Sequence, residues 1–365
     1  MREELTRLLR AIFYPLIGLI VLISISCGGG GGGGGGSTTP PDNFGSIMST
    51  GPIAEKESDE EFWTKERILE AVKNPLYMKI PIDEKFGIST TDKDTQRIPD
   101  GVQENFSPYN PDADKESKFI NDILFSKDAQ SWVSKESISC PPSSYQLYST
   151  RGYQYYPERT MGIIIFLIKG VAYSCSASLI EKRMVLTAAH CVSSDATWHT
   201  NFWFIPGFNN GSNWEPYGHF SASQVLVYSG WFNNKFYPAD YAIILLKETI
   251  GDRLGWLGFA TNHSPDGKTW DQCGYPGTPL SDSMTLLVNR SAYGGEECSA
   301  GKPCLIVVGS GMAEGSSGGP WILWLNNIPY ANSVHSRGST SCNAAVSPYF
   351  DTRAGNLYMA AQSLQ

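Results

Sequence analysis

The chain has 365 residues, a formal net charge of −8 and an isoelectric point near 5.2. Proteins that bind nucleic acids need basic faces to neutralise phosphates, so this charge argues against a nucleic-acid partner. The length leaves room for one β domain of ordinary size together with an extension. The sequence has no H-E-x-x-H and no C-x-x-C pattern, and we predict neither a metal site nor a cofactor.

Residues 1–27 are predicted to be an export signal. Three arginines among the first ten residues precede an apolar run that ends near Ser26 and is shorter than the roughly 20 residues of a membrane span. Residues 23–27 (Ile-Ser-Ile-Ser-Cys) resemble the bacterial lipobox, although Ser24 replaces the favoured leucine. The resemblance implies a lipoprotein of the bacterial cell envelope, lipidated at Cys27. Secretion and an uncleaved signal anchor are the alternatives.

Residues 28–53 are predicted to be a flexible tether. Nine consecutive glycines occupy 28–36, followed by Ser, Thr and Pro. Such a segment has no side chains to bury and behaves as a loose coil. A lipid on Cys27 would hold the folded part near a membrane, and the several acyl chains of bacterial lipoproteins meet the need for more than one anchoring signal.

Residues 54–150 form an extension that is richer in charge. Residues 58–61 (Ser-Asp-Glu-Glu), followed by apolar residues at 62, 68, 69 and 72, predict the capped start of an amphipathic helix. A second helix is predicted over 115–133 from the spacing of its apolar residues. Two interpretations stay open, a pro-segment that folds against or blocks the following domain and a plain extension. Arg151 and Arg159 are candidate processing points.

Residues 151–365 show the strand-and-turn rhythm of β-barrels, in which short apolar runs alternate with Gly, Asn and Pro turns. The runs are 162–168, 202–204, 225–228, 243–246, 286–288, 305–308 and 321–325. Residues 351–364 are predicted to form a closing helix.

Three short motifs in this domain point to one chemistry. They are 187–191 (Thr-Ala-Ala-His-Cys), Asp240 at the start of an apolar run, and 315–320 (Gly-Ser-Ser-Gly-Gly-Pro). Each motif alone is common in strand ends and loops. Together they place His190, Asp240 and Ser317 in a chain order known from enzymes that use a Ser-His-Asp triad. In such a triad an imidazole held by a buried carboxylate deprotonates a hydroxyl. The conjunction predicts a serine endopeptidase.

From about residue 156 to 361 the chain resembles the trypsin-like superfamily, specifically its bacterial glutamyl-endopeptidase-like branch. Residues 175–180 (Cys-Ser-Ala-Ser-Leu-Ile) and 185–191 (Val-Leu-Thr-Ala-Ala-His-Cys) carry most of the resemblance. It implies an all-β fold of two six-stranded Greek-key barrels of the chymotrypsin type, with a C-terminal helix. His190 and Asp240 would lie on the first barrel and Ser317 on the second.

The catalytic roles follow from this arrangement. Ser317 attacks the scissile carbonyl, His190 takes its proton and delivers it to the leaving amine, and Asp240 orients the imidazole. The backbone N–H groups of Gly315 and Ser317 are the expected oxyanion donors. Residues 315–319 also fit the G-x-S-x-G elbow of α/β-hydrolases. That fold needs its acid and then its histidine after the nucleophile, whereas only 48 residues follow here and the candidates come in the wrong order.

Ser316 departs from the trypsin-like zymogens, which carry an aspartate before the nucleophile. A serine cannot pair with a newly freed ammonium group, so activation by that ion pair is not expected. Bacterial glutamyl-endopeptidase-like enzymes also lack this aspartate, which favours that branch.

Substrate preference rests on residues after the nucleophile. His335 aligns with a histidine that glutamyl endopeptidases use to bind a substrate carboxylate, which suggests glutamate before the scissile bond. Ser336 resembles the serine that bonds the triad aspartate, and Gly338 the glycine that pairs with substrate backbone. Met312 stands where that branch usually has a hydroxyl donor and argues against the glutamate preference.

The eight cysteines support an exported protein. The resemblance implies a bridge from Cys175 to Cys191. Cys298 and Cys304 flank a short loop and would make a compact clip. With Cys27 lipidated, one pair at most remains among positions 140, 273 and 342, and a link from 140 to 273 would keep the extension attached after a cut.

A second class of function is a protease-fold module that binds a partner without cutting it. The presence of all three triad residues favours the enzyme, since a binding module has no chemical need for them together. The expected partners of the enzyme are protein or peptide substrates, with a membrane contact through Cys27. The sequence predicts no particular oligomeric state.

Overall fold

Apolar runs separated by turns build this fold, as seen in a computed structural model. The structure describes residues 43–51, 62–80, 102–113, 131–134, 144–150, 152–277, 285–298, 303–339 and 342–365. The predicted signal, Cys27 and the glycine run lie outside the described residues.

Strands dominate the described part of the chain. In chain order they are β1 (Ile47–Ser49), β2 (Lys79–Ile80), β3 (Glu104–Phe106), β4 (Ser131–Ser134), β5 (Tyr145–Ser149), β6 (Met161–Ile168), β7 (Val171–Leu179), β8 (Met184–Thr187), β9 (Ser193–Ser194), β10 (Thr197–Trp198), β11 (Thr200–Pro206), β12 (Phe220–Tyr228), β13 (Ala242–Leu246), β14 (Gly258–Thr261), β15 (Thr269–Gly274), β16 (Leu287–Glu297), β17 (Leu305–Gly309), β18 (Pro320–Leu325), β19 (Ile328–Val334), β20 (Arg337–Ser339) and β21 (Ala344–Pro348).

Helices are few and short in the described ranges. The α-helices are α1 (Lys65–Lys73), α2 (Ser229–Asn234), α3 (Gly251–Leu254) and α4 (Thr352–Gln362), and the 3-10 turns are Glu158–Thr160, Ala189–Cys191 and Tyr237–Ala239. None of the described helices is long and apolar enough to cross a membrane.

The first sheet closes into a six-stranded barrel. Its strands follow the order β12-β11-β6-β7-β8-β13, and β13 pairs back to β12. The residues of β6 are apolar along its whole length, as expected for a strand that is covered on both faces. One face lines the barrel, and outside it α1 packs against β7 and β6 with Ile68, Ala71 and Val72 buried. The barrel therefore forms the core on which the helix of the extension docks.

The second sheet holds the remaining large strands. Its path is β2-β20-β21-β17-β16-β15-β18-β19-β14-β3, and β5 pairs with β16 while β4 pairs with β5. Strands β2 to β5 come from the predicted extension and lie on this sheet. The described strands of residues 54–150 are thus part of this sheet.

The predicted fold class is confirmed, with a mostly β structure, a closed six-stranded barrel and a C-terminal helix. Each predicted apolar run from 162–168 to 321–325 lies in or overlaps a strand. The closing helix α4 begins after Asp351, whose Oδ1 accepts from the Arg353 backbone N–H at 2.8 Å. Capping residues of this kind commonly start helices.

Predictions for the N-terminal part differ from the structure in two places. The predicted helix start at residues 58–61 lies outside the described residues, and the described helix α1 is capped by Thr64. Residues 131–133, the end of the helix predicted over 115–133, lie in β4, and all four residues of β4 pair with β5. The tether predicted over 28–53 contains β1, which pairs with β12, and Phe44, which is only 1% exposed.

Replacing Phe44 with alanine tests whether this part of the chain belongs to the core. The ring lies 5.4 Å from Tyr228 and 5.1 Å from Phe236, with the Arg353 guanidinium 3.9 Å from its centroid. Removing a buried ring of this kind should lower the free energy of unfolding by about 3–5 kcal/mol. Urea denaturation measures the change.

Val102→Ala is the control, because Val102 is 83% exposed and its loss should cost less than about 0.5 kcal/mol. An equally small effect of Phe44→Ala would mean that residues 43–51 do behave as a tether.

Candidate active site

His190 lies on the 3-10 turn that follows β8. Its backbone N–H donates to Asp240 Oδ1 at 2.8 Å, and its Nδ1 lies 2.9 Å from Oδ2. The two residues meet because β8 pairs with β13, which starts two residues after Asp240. The carboxylate can only accept, so Nδ1 carries the proton and Nε2 is left with its lone pair. A general base needs this tautomer, because it accepts the proton on Nε2.

The Asp240 carboxylate is fully buried. It accepts from the backbone N–H and the Nδ1 of His190, and Ser336 Oγ donates to Oδ2 at 2.6 Å. Burying a carboxylate is costly unless hydrogen bonds compensate for lost water. These donors compensate for it and fix the position of the imidazole. Ser336 makes the contact that the family resemblance implied.

A disulfide joins the histidine turn to the neighbouring strand. Cys175 on β7 and Cys191 are bridged, with their Cα atoms 6.2 Å apart. A second disulfide joins Cys298 and Cys304. Both bridges are the ones expected from the sequence, and the first restrains the segment that carries His190.

Ser317 lies in a turn held by its neighbours. Ser316 Oγ donates to Ala313 O at 2.6 Å, and the Gly319 N–H donates to Ser316 O at 2.9 Å. Gly315 and Gly318 have φ values of +96° and +78°, which side chains rarely tolerate. The Ser316 hydroxyl thus helps to hold the turn through a hydrogen bond within it.

Ser176 on β7 ties this turn to the first barrel. Its N–H donates to Ser317 O at 2.8 Å, and its Oγ donates to Gly315 O at 2.7 Å. A Cβ at Gly318 would collide with Ser176 O and Thr187 Oγ1. The glycine thus permits a close approach of the Ser317 turn to the first barrel. Sequence reasoning quoted Ser176 only as part of a motif and missed this role.

The hydrogen bond between Ser317 and His190 is not formed in this structure. Ser317 Oγ and His190 Nε2 are both buried, and neither has a hydrogen-bond partner among the described residues. Such catalytic bonds are often long without substrate and shorten in the complex. The candidate base His190 and the candidate orienting acid Asp240 are therefore in contact, and the candidate nucleophile Ser317 is buried.

Three of the four residues expected to bind substrate, His335, Met312 and Gly338, contact the Tyr77 side chain, and we call the space that this ring occupies the pocket. The His335 ring is fully buried, stacks on Tyr77 at 6.0 Å between centroids, and has no hydrogen-bond partner in the described ranges. Burial, with a smaller effect of His190, lowers the pKa of His335 to about 3, so the ring is neutral near pH 7. Met312 packs with other apolar side chains, and its carbonyl accepts from Tyr77 Oη at 3.4 Å.

Gly338 is engaged within the chain. Its N–H donates to Met78 O at 3.0 Å. Neither Met78 nor Tyr77 was singled out from the sequence. The sequence offered one signal for them, the interpretation of residues 54–150 as a pro-segment that blocks the following domain. That interpretation could name no single residue, because strand pairing between distant segments leaves no local pattern in the sequence.

The remaining cysteines correct one expectation. Cys273 is a free thiol buried in β15, so the suggested link from position 140 to 273 is wrong. Its strand is enclosed, with the backbone of Gly319 packed against its carbonyl. Burial raises the pKa of this thiol well above its usual value. Cys342 is disulfide-bonded, and position 140 lies outside the described residues.

Among the described residues, two groups have ligand atoms close enough to suggest a metal. They are Cys175 with His190 and Cys191, and Glu296 with Cys298 and Cys304. In both groups the sulfurs are joined in disulfides. A metal ligand needs a thiolate, which a disulfide does not offer. The cysteines of both groups therefore serve as disulfides and not as metal ligands.

Comparisons with known proteins agree with the geometry. The trypsin family matches residues 151–359. An extracellular metalloprotease of Bacillus subtilis (strain 168) is 33% identical over 147 residues, which are 36% of this chain and 45% of that protein. A glutamyl endopeptidase of Bacillus licheniformis is 29% identical over 184 residues, 46% of this chain and 55% of the relative. The chain thus spans about half the length of these relatives.

A solved structure gives the same picture. The thermostable serine protease AL20 from an extremophilic microorganism is 25% identical, with a TM-score of 0.50. The match covers 57% of this chain and 99% of that one.

Removing the hydroxyl of Ser176 should loosen the turn that carries the nucleophile. Ser176 Oγ donates to Gly315 O and accepts from the Tyr275 N–H at 2.9 Å, so Ser176→Ala leaves two buried groups without their partner. We expect a loss of about 1–3 kcal/mol in the free energy of unfolding, measured in urea. Amide hydrogen exchange at Gly319 should also become faster.

Ser178→Ala is a matched control on the same strand. Ser178 Oγ is buried and has no hydrogen-bond partner among the described residues, so its removal should be close to neutral. Equal effects of the two substitutions would contradict the role of Ser176.

Proposed function

The chain belongs to the trypsin family, and from that premise we propose that it is a serine endopeptidase acting through an acyl-enzyme on Ser317. The observation that carries the proposal is the buried carboxylate of Asp240, which accepts from both the backbone N–H and the Nδ1 of His190. This arrangement leaves Nε2 as the only basic atom of the imidazole. A buried carboxylate beside it also stabilises the imidazolium that forms during attack.

The reaction follows from these roles. Ser317 Oγ attacks the scissile carbonyl as Nε2 of His190 accepts its proton, and the imidazolium then protonates the leaving amine. Water, deprotonated by the same nitrogen, releases the acyl group. The N–H groups of Gly315 and Ser317 stabilise the oxyanion, and one such donor is typically worth about a hundredfold to a thousandfold in rate.

Two substrate preferences compete for the pocket beside His335. Glutamate before the scissile bond is supported by the likeness to a glutamyl endopeptidase, with the neutral His335 ring donating one N–H to the carboxylate. An aromatic residue is the second candidate. It is favoured by the Tyr77 ring, which lies against His335 with its hydroxyl on Met312 O.

The chain is also proposed to act outside the cytoplasm. One relative is named as extracellular, which fits export of this chain. In this proposal residues 1–27 direct export, Cys27 carries the lipid, and the protease domain 151–365 acts on proteins or peptides at the envelope.

Ser317→Ala tests the catalytic proposal. The full chain and this variant are incubated with a mixed peptide library, and new termini are identified by mass spectrometry. Without the nucleophile, cleavage should fall more than about a thousandfold. Cuts after glutamate would support the carboxylate role of His335, and cuts after Tyr or Phe would support the aromatic pocket.

Ser178→Ala is the control, since it removes a buried hydroxyl that makes no hydrogen bond in the described part of the chain. Cleavage that survives in Ser317→Ala would rule out the serine mechanism. No cleavage by the full chain, with or without the Tyr77→Ala substitution described below, would favour the binding module.

Cys27→Ala tests the anchor. Cells expressing the full chain are grown with an alkyne-bearing fatty acid, and the label on the protein is detected after fractionation. The variant should lose the label and leave the membrane fraction, because acyl chains supply the membrane affinity. Ser26→Ala should keep the label. An unlabelled wild-type chain in the membrane would instead indicate an uncleaved signal anchor, and one in the medium would indicate secretion.

A further inference from the structure

A segment of the chain runs beside the buried candidate nucleophile. Ser317 is fully buried, although a protease must admit a substrate to this residue. Residues 74–80 (Asn-Pro-Leu-Tyr-Met-Lys-Ile) follow helix α1 and end in β2. We call residues 74–80 the covering segment.

On the first barrel the covering segment pairs with β7. The Leu76 N–H donates to Ser174 O at 2.8 Å, and the Ser174 N–H donates to Asn74 O at 3.2 Å. Two residues further along β7, Ser176 bonds Ser317 O. The covering segment therefore starts directly beside the turn that carries the nucleophile.

On the second sheet the covering segment pairs with β20. β2 runs parallel to β20, and the Gly338 N–H donates to Met78 O at 3.0 Å. Two residues before Gly338 lies Ser336, which bonds Asp240. The covering segment thus bridges β7 and β20. Ser176 on β7 bonds Ser317, Ser336 directly before β20 bonds Asp240, and we call the space between these two strands the groove.

Tyr77, at the centre of the covering segment, fills the pocket. Its ring stacks on His335, and its hydroxyl donates to Met312 O. A Cβ at Gly338 would collide with the Tyr77 hydroxyl, so the glycine leaves the room that this ring occupies. Burial raises the pKa of the hydroxyl, which therefore stays protonated and able to donate.

The covering segment is held by contacts on both sides. Upstream, α1 buries Ile68, Ala71 and Val72 against the first barrel, and Trp63 Nε1 donates to Asn201 O at 2.9 Å. Downstream, Lys79 Nζ lies 3.6 Å from Glu314 Oε1 in a half-exposed pair that adds little. Attachment to a docked helix gives the covering segment a high effective concentration at the groove.

The hydrogen bonds of the covering segment do not involve the reacting atoms of the site. A peptide bond under attack would bring its carbonyl to Ser317 Oγ and its leaving nitrogen to His190 Nε2. Within the described ranges neither atom has a hydrogen-bond partner. The backbone bonds of the covering segment go to Ser174 and Gly338 at the two rims of the groove. These hydrogen bonds therefore leave Ser317 Oγ and His190 Nε2 unengaged.

We propose that residues 74–80 are the built-in occupant of the substrate groove, with Tyr77 in its pocket, and that they keep the full chain latent until they are displaced or cut away. This proposal rests on the proposed protease function, because it assigns the occupant of the same groove. It gives the extension an inhibitory role.

Tyr77→Ala in the full chain is the first test. The reaction of Ser317 with a fluorophosphonate probe is followed over time by in-gel fluorescence. Removing the ring should raise the labelling rate at least about tenfold, since a buried aromatic side chain contributes much of the affinity of such a segment. Tyr77→Phe, which keeps the ring, should stay within about threefold of the wild type.

Tyr155→Ala is the matched control, because Tyr155 is 43% exposed and lies outside the covering segment. It should label at the wild-type rate. Equal and rapid labelling of the wild type and Tyr77→Ala would overturn the proposal.

Hydrogen exchange separates this proposal from the proposed function. In the Ser317→Ala background, which cannot react, the amides of Leu76 and Gly338 should be protected, and Tyr77→Ala should make them exchange faster. Rapid exchange of the Leu76 amide in the Ser317→Ala chain that keeps Tyr77 would overturn the occupancy of the groove by the covering segment. A different result would separate the two proposals. If Tyr77→Ala relieves the protection, but Ser317 is labelled neither in the wild type nor in Tyr77→Ala, the occupancy of the groove is upheld and the protease function is contradicted.

Discussion

Much of the site depends on the buried hydrogen bonds of Ser176. Its N–H donates to Ser317 O, its Oγ donates to Gly315 O and accepts from Tyr275 N–H, and its carbonyl accepts from Thr187 Oγ1. These bonds join the nucleophile turn of one sheet to a strand of the other. Because unpaired polar groups are costly in a buried position, the turn is held in this one arrangement.

The same strand also fixes the base. Cys175, next to Ser176, is bridged to Cys191, next to His190. The segments that carry His190 and Ser317 are therefore both bonded to adjacent residues of β7, Cys175 and Ser176. Asp240 adds the third constraint, since its buried charge needs the donors that also orient the imidazole. Geometry of this kind is fixed before substrate arrives, which is the condition for efficient stabilisation of a transition state.

The covering segment uses the same surfaces that a substrate would need. Ser174 and Gly338 offer backbone groups at the two rims of the groove, and the space above Gly338 accepts a ring. A segment that satisfies these groups competes with substrate without new contacts elsewhere. Since it follows a docked helix in the same chain, only a modest affinity is needed to keep the groove occupied.

The sequence by itself determined the all-β class, the apolar strands and the order of His190, Asp240 and Ser317, because side-chain periodicity and short motifs are local signals. Tertiary structure alone decided that Phe44 is in the core, that residues 131–134 are a strand and that Cys273 is unpaired. It also decided that Tyr77 lies on His335. Each of these depends on a partner far away in the chain, and the pairing of edge strands and the filling of a pocket leave no local pattern from which that partner could be identified.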